Sequence, residues 1–332
     1  MRKAIKTLGF VMLAGSLNIA IAQDPVFNQY LQSGAYLNPA LAGTANTLDK
    51  DAAARVGLQY RNQWGRDIAF NTGLFQYDQS IGVNYSNVGL YVINDVAGDG
   101  NFTTTQANAV YAYQTPFKRG KWSAQYGLSL GYRNQGINAA KLRFEDQIDY
   151  TQGTVRSTAE IIPSNRKGNA DVGAGAVIFN EYFHAGLAVH NITKPVYDYA
   201  GAIDNRIPRR YTLHTGGVIV LRNVEKTQYT ALHLQGMAML QGAFSQMNMG
   251  MALVNNEFSF GLGHRRAWYQ ANNADAVIVN IGFIIKSLRL NYSYEHTVSQ
   301  LSAWSPRTHE LGISLLLNRK GFTAPMRNGF PM

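Results

Sequence analysis

The sequence predicts an all-β fold, a transmembrane antiparallel outer-membrane β-barrel of about 14 strands, with an N-terminal segment as plug or periplasmic-mouth cap. Three observations point there. The first is strict alternation: in 121–133, Trp122, Ala124, Tyr126, Leu128, Leu130 and Tyr132 share one face, and Ser123, Gln125, Gly127, Ser129, Gly131 and Arg133 the other. A strand crossing a bilayer needs about 9–11 residues and ends in aromatic girdles, and this one has an aromatic at each end of its apolar face. The second is composition. Charged residues make up only 15%, while Tyr (19), Phe (15) and Gly (32) are plentiful. A soluble sandwich also alternates, but its solvent face is charged rather than rich in Gly and Ser. The third is that no long apolar run remains after the first two dozen residues, so the chain has to cross a membrane with strands or not at all.

Taken in order, residues 1–22 read as a Sec-type signal peptide: Arg2, Lys3 and Lys6 precede an apolar run from Leu8 to Ile21, and Ala20-Ile21-Ala22 supplies the small residues for cleavage between Ala22 and Gln23. The chain has no Cys, hence no lipid-attachment site and no disulfides. Residues 23–53 form the plug or cap segment. Pro25 and Pro39 push Asp24 and Asn38 out of the helical region. Tyr36, Leu37, Asn38, Pro39, Ala40 and Gly43 make a loop whose apolar neighbours need a surface to pack on. The barrel follows over 54–318, with strands near 55–64, 70–77, 88–94, 102–114, 121–133, 169–179, 183–191, 210–221, 227–238, 243–254, 258–265, 274–286, 288–295 and 308–317. Residues 319–332, with Arg319, Lys320 and Arg327, read as a periplasmic tail.

The connections alternate in length. Long ones at 134–168, 192–209, 266–273 and 296–307 are interleaved with short ones at 180–182, 255–257 and 286–287, which sorts the two kinds onto opposite rims. The short link at Gln241-Gly242 breaks the alternation and marks a strand pair open to misassignment.

Motifs for chemistry are weak. Gly127-Leu128-Ser129-Leu130-Gly131 matches the G-x-S-x-G elbow, but that elbow requires a strand-to-helix turn, and Ser129 lies within the best alternation of the chain. Asn94 to Gly100 resembles a calcium loop, yet the third position from Asp95 is Ala97 and the twelfth is Gln106, so a hairpin turn explains it as well. The seven His residues form no metal pair; His184 and His190 fall on one strand face, well apart. The longest loop carries Arg143, Phe144, Glu145, Asp146, Gln147 and Asp149, candidates for partner contacts, with a solvated acidic turn as the plainer reading. No catalytic residue, metal ligand or cofactor site is assigned. The formal charge of +10 is dispersed, which favours anionic headgroups or acidic partner surfaces over nucleic acid.

Several stretches carry a resemblance. They are Tyr36-Leu37-Asn38-Pro39-Ala40; Tyr60-Arg61-Asn62-Gln63-Trp64; Leu142-Arg143-Phe144 leading to Asp146-Gln147-Ile148; Asp171-Val172-Gly173-Ala174-Gly175; and Gly186 through His190-Asn191 to Lys194-Pro195. Gly261-Leu262-Gly263-His264-Arg265, Leu290 to Tyr294 and Thr308 to Ser314 complete the set. In this order they resemble the PorP/SprF family, outer-membrane proteins of the type IX secretion and gliding machinery of Bacteroidetes. The resemblance implies a non-enzymatic barrel. Its partners would be the C-terminal domain of a secreted adhesin, held at the long outer loops, or periplasmic secretion components and peptidoglycan-associated proteins. A porin or small-solute transporter is the alternative, and a hydrolase resting on Ser129 a third.

Overall fold

The structure, a computed structural model, describes residues 23–47, 52–64, 70–81, 85–98, 102–119, 121–137, 145–149, 153–154, 167–196, 206–224, 228–267, 276–298 and 307–318. The expected cleavage pair Ala22–Gln23 is thus described only at Gln23, and the tail 319–332 lies outside the described residues, as do Arg143 and Phe144.

Among these residues the strands run β1 Ala52–Gln63, β2 Phe70–Ser80, β3 Ser86–Ala97, β4 Phe102–Phe117, β5 Trp122–Ile137, β6 Ile148–Asp149, β7 Gly153–Thr154 and β8 Lys167–Phe179. They continue as β9 Phe183–His190, β10 Arg210–Val224, β11 Gln228–Gln241, β12 Phe244–Asn255, β13 Phe258–Ala267, β14 Ala276–Ile285, β15 Leu288–Thr297 and β16 Arg307–Asn318. Every strand except β6 and β7 belongs to one closed barrel in which sequence neighbours pair antiparallel, β5 meets β8, and β16 returns to β1. Closure is in register, with Leu58 opposite Ile313 and Tyr60 opposite Leu311. The fourteen wall strands coincide with the fourteen read from alternation. β1 begins at Ala52, just inside the stretch expected to precede it. The pair β6–β7 is a two-stranded ribbon within the long connection, with strands too short to show a period of two in the sequence.

Polarity is inside out relative to a soluble domain. On β5, Leu128 and Leu130 are 63% and 66% exposed, whereas Gln125, Ser129 and Arg133 are buried. The outward faces carry Leu58, Tyr111, Leu187, Leu213, Met251 and Phe283; the inward faces carry Arg, Gln, Asn, His and Glu. An apolar exterior around a polar interior is what a bilayer demands of a barrel wall.

Ala52 at the start of β1 pairs with Asn318 at the end of β16, so both ends of the wall lie at one rim. The turns 180–182, 256–257 and 286–287 lie at that same rim, and the strand ends that flank 138–166, 191–209, 268–275 and 299–306 lie at the other. Short turns mark the periplasmic side and long loops the outside. The link after Gln241 is a true two-residue hairpin at the outer rim: Gln241 pairs with Phe244, and Gly242 takes the left-handed conformation with φ +60. Both strands read there are correct; that outer loop is simply short.

Candidate functional site: the filled lumen

Residues 23–47 lie inside the barrel. They contain one helical turn, α1 Gly34–Leu37, and two 3-10 turns, Pro39–Leu41 and Thr44–Thr47. Asn38 joins the first two. Pro39 holds it extended, at φ −152 and ψ 120, and its side-chain oxygen accepts the Ala40 N–H at 2.9 Å, capping the turn that Pro39 opens. Irregular backbone at membrane depth survives only where protein satisfies its polar groups. Here wall side chains do so at three levels.

Near the outer rim, Asp24 accepts from Arg133 at 2.8 Å, from Asn191 at 2.7 Å and from Gln241 at 3.2 Å, and pairs with Arg210 at 3.6 Å. Its own N–H donates to the Gln241 side-chain oxygen at 2.9 Å. Asp24 belongs to the plug and not to a membrane-crossing strand. Burial alone would raise its pKa, but the Arg133 and Arg210 guanidiniums outweigh burial and hold the carboxyl well below the usual carboxylate range.

On the opposite wall, the Glu310 carboxylate accepts the backbone N–H groups of Asn28 and Gln29 at 2.8 and 2.9 Å. Arg61 donates to the Val26 carbonyl and lies 3.5 Å from Glu295 and 3.9 Å from Glu310; Arg265 pairs with Glu295 as well. Toward the periplasmic rim, Asp78 receives the Gly43 N–H at 2.9 Å and Arg55 at 2.8 Å, and Gln125 donates to the Ala42 carbonyl at 2.7 Å. The segment therefore threads the lumen from the outer end at Asp24 to the periplasmic end, where Ala45 packs on Leu316.

Between these levels the plug packs by shape. Tyr36 stands edge-on to Phe27 and Tyr91, with the Arg210 guanidinium stacked 4.5 Å over its ring. Arg210 also donates to the Tyr36 hydroxyl at 2.8 Å and to its carbonyl at 2.9 Å. The Leu37 carbonyl meets His190 Nε2 at 3.1 Å, and the Asn38 amide nitrogen meets His214 Nε2 at 3.0 Å. Phe27, Ala35, Tyr36 and Ala42 join Leu74, Tyr91, Ile93, Val110 and Ala112 in one apolar cluster. Tyr30, Leu31, Leu37, Ala40 and Leu41 join Val177, Phe179 and Met237 in another. A fully buried Leu or Phe contributes about 1.5–3 kcal/mol, whereas buried ion pairs come near break-even. Apolar contact thus seats the plug, and the charged clusters fix its register.

Two wall glycines make room. A Cβ at Gly127 would fall 2.3 Å from the Ala40 nitrogen and the Pro39 carbonyl carbon, and one at Gly175 would fall 1.9 Å from the Asn38 side-chain oxygen. The G-x-S-x-G match has this explanation: Gly127 is a seat for Pro39-Ala40, while Ser129 is buried within a strand that continues without a turn to Ile137. The calcium-like stretch is also strand up to Ala97; Asp95 accepts from the Thr72 hydroxyl at 2.6 Å, and Asn94 donates to Thr105 at 2.7 Å. Among the described residues no cluster of three or more His, Cys, Asp or Glu is placed to hold a metal.

All six plug residues singled out in the sequence are buried: Tyr36, Leu37, Asn38, Pro39, Ala40 and Gly43. The loop candidates fall differently. Glu145 to Gln147 form a 3-10 turn leading into β6, where Asp149 lies, and Asp146 is exposed. None of the wall partners Arg133, Arg210, His190, His214, Glu310 and Asp78 is a plug contact in the sequence reading. His190 and Glu310 stand in stretches that carry the family resemblance; for the others the sequence signal is membership of the polar face of a strand.

These features define a class: an integral outer-membrane β-barrel whose lumen is filled by its own N-terminal segment. The description "Type IX secretion system membrane protein PorP/SprF" matches residues 19–315, and the chain belongs to this family, a membrane component of the type IX secretion system. Six of the seven motif stretches after Tyr36–Ala40 place a residue on the plug or in its ion clusters: Arg61, Gly175, His190 with Asn191, Arg265, Ser293 and Glu310. No curated protein matches the chain. Similar solved structures include the Acinetobacter baumannii outer membrane protein Omp33, at 10% identity over 81% of this chain and 99% of that one, with a TM-score of 0.44. The Pseudomonas putida toluene transporter TodX is 10% identical over 86% and 94%, with a TM-score of 0.48.

Proposed function

We propose that this barrel is a closed, non-enzymatic docking scaffold of the type IX system. Its outer loops, over 138–166 and 191–209, hold the C-terminal domain of an exported surface adhesin, and its periplasmic rim meets the periplasmic secretion or gliding apparatus, including peptidoglycan-associated partners. The observation that carries this reading is the occupied lumen. Buried plug residues touch strands on both sides of the wall, from Arg61 and Glu310 to Arg133 and Arg210, which leaves the solute path of a porin filled. A scaffold needs a rigid wall and presented loops; a transporter needs a path. The loop residues Arg143, Phe144, Glu145, Asp146, Gln147 and Asp149 are the proposed contacts on the outer side.

Deletion of the gene tests this. The expected result is loss of one particular adhesin from the cell surface, with restoration by the wild-type gene; an unchanged surface proteome contradicts the reading. Planar-bilayer recording separates the porin alternative, for which a large, steady open conductance of the intact protein is required.

A further inference from the structure

We propose that the turn between β4 and β5 is a binding site for anionic phospholipid headgroups in the periplasmic leaflet. The turn carries Lys118, Arg119 and Lys121, all exposed. It lies at the short-turn rim, on the same side as the ends of β1 and β16. Directly above it on the lipid-facing wall, Phe117 pairs with Trp122, and Trp122 stands edge-on to Phe183 with ring centroids 6.5 Å apart. Lys118 Nζ lies 5.9 Å from the Trp122 ring centre. Three cations therefore stand at headgroup depth over an aromatic floor at the edge of the acyl region. Basic residues beside an interface attract anionic lipid, and Trp sits at the headgroup level.

The other described turns at this rim are not built this way. The turn at 286–287 carries Lys286 alone, that at 256–257 carries Glu257, and the neighbouring 180–182 turn carries Glu181 beside Tyr182. Counting Glu181 against the three cations, the adjoining pair of turns still has a net charge of +2. The occupant is a lipid and not an acidic protein because the aromatic floor faces outward from the wall into the bilayer, continuous with the exposed Tyr126 and Leu128 of the same strand.

The test uses the full mature protein in nanodiscs of equal phosphatidylglycerol and phosphatidylethanolamine, with bound lipid read by native mass spectrometry after release. The wild type should retain phosphatidylglycerol preferentially. The triple variant Lys118→Gln/Arg119→Gln/Lys121→Gln should lose that preference by about a hundredfold, while Lys286→Gln keeps it. Unchanged thermal midpoints show that both variants are folded. An unchanged lipid ratio in the triple variant overturns the proposal, as does equal loss in Lys286→Gln. So does loss of a co-purifying periplasmic protein with the lipid ratio intact, which would assign the turn to a protein partner.

Discussion

Arg133 donates to the Asp24 carboxylate at 2.8 Å and ties the leading end of the plug to the outer part of β5, across 109 positions of sequence. Both side chains are about 5% exposed or less, and Arg210 approaches the same carboxylate. Removing one member of a buried ion cluster leaves the others unpaired, at a cost of about 3–5 kcal/mol. Asp24→Asn should therefore lower the unfolding free energy in detergent by an amount of that order. The pH dependence has a definite sign. The folded-state pKa is depressed, so the Asp24 contribution is fully present above the unfolded carboxylate value and is lost as pH falls toward the folded one. The wild-type advantage over Asp24→Asn should stay constant from pH 7 down to about pH 5 and shrink only below about pH 4. A difference that vanishes already near pH 6 would contradict the assignment.

Gly127 and Gly175 are seats for the Pro39 turn and for Asn38, and both should resist substitution. Gly127→Ala places a methyl against plug backbone that cannot yield, and overpacking costs about 1–3 kcal/mol. Gly73→Ala is the control, since nothing lies within 4 Å of its Cβ position. Thermal unfolding should rank Gly127→Ala well below the wild type and Gly73→Ala beside it; equal midpoints would remove the proposed seat.

Ser129→Ala separates structure from chemistry. Among the described residues the buried Ser129 hydroxyl has no hydrogen-bond partner, so its loss should change the unfolding free energy by no more than about 1 kcal/mol and leave adhesin display unchanged. Lost display with an unaltered midpoint would restore Ser129 as a functional group.

Asp24 lies among residues at the outer ends of β5, β9, β10 and β11, so the plug begins at the outer mouth, and cleavage before Gln23, the site the sequence predicts, would leave the new N-terminus there. An epitope inserted between Ala22 and Gln23 should be reached by antibody on intact cells. Detection only after permeabilisation would place the plug in the reverse direction.

The wall was legible in the sequence because a bilayer enforces period two on every strand, and Trp122 to Tyr132 shows it without a break. Strand ends were less legible. β5 runs on to Ile137, past the residues whose outward faces are apolar, because the alternation rule relaxes outside the hydrocarbon layer. Two-residue strands such as β6 carry no period to read. For the plug, Asn38-Pro39 announced a turn and its apolar neighbours a packing need. The partners of Asn38, however, are His214 and the strand carbonyls of Ala176 and Leu187, at separations of 138 to 176 residues. One polar residue on a strand face looks like another until the barrel closes and shows which ones meet across the lumen.

The central claim is that residues 23–47 fill the lumen of the folded protein. The chain has no Cys, so a disulfide can be introduced on a clean background. A Cβ at Gly89 of β3 would lie 3.3 Å from the Ala42 Cβ, close to the spacing of about 3.5–4.5 Å found in disulfides. The double variant Ala42→Cys/Gly89→Cys, assembled in the outer membrane and run without reductant, should show near-complete cross-linking that joins plug to wall, with either single variant unlinked. Two freely alkylated thiols in the folded double variant would contradict the account.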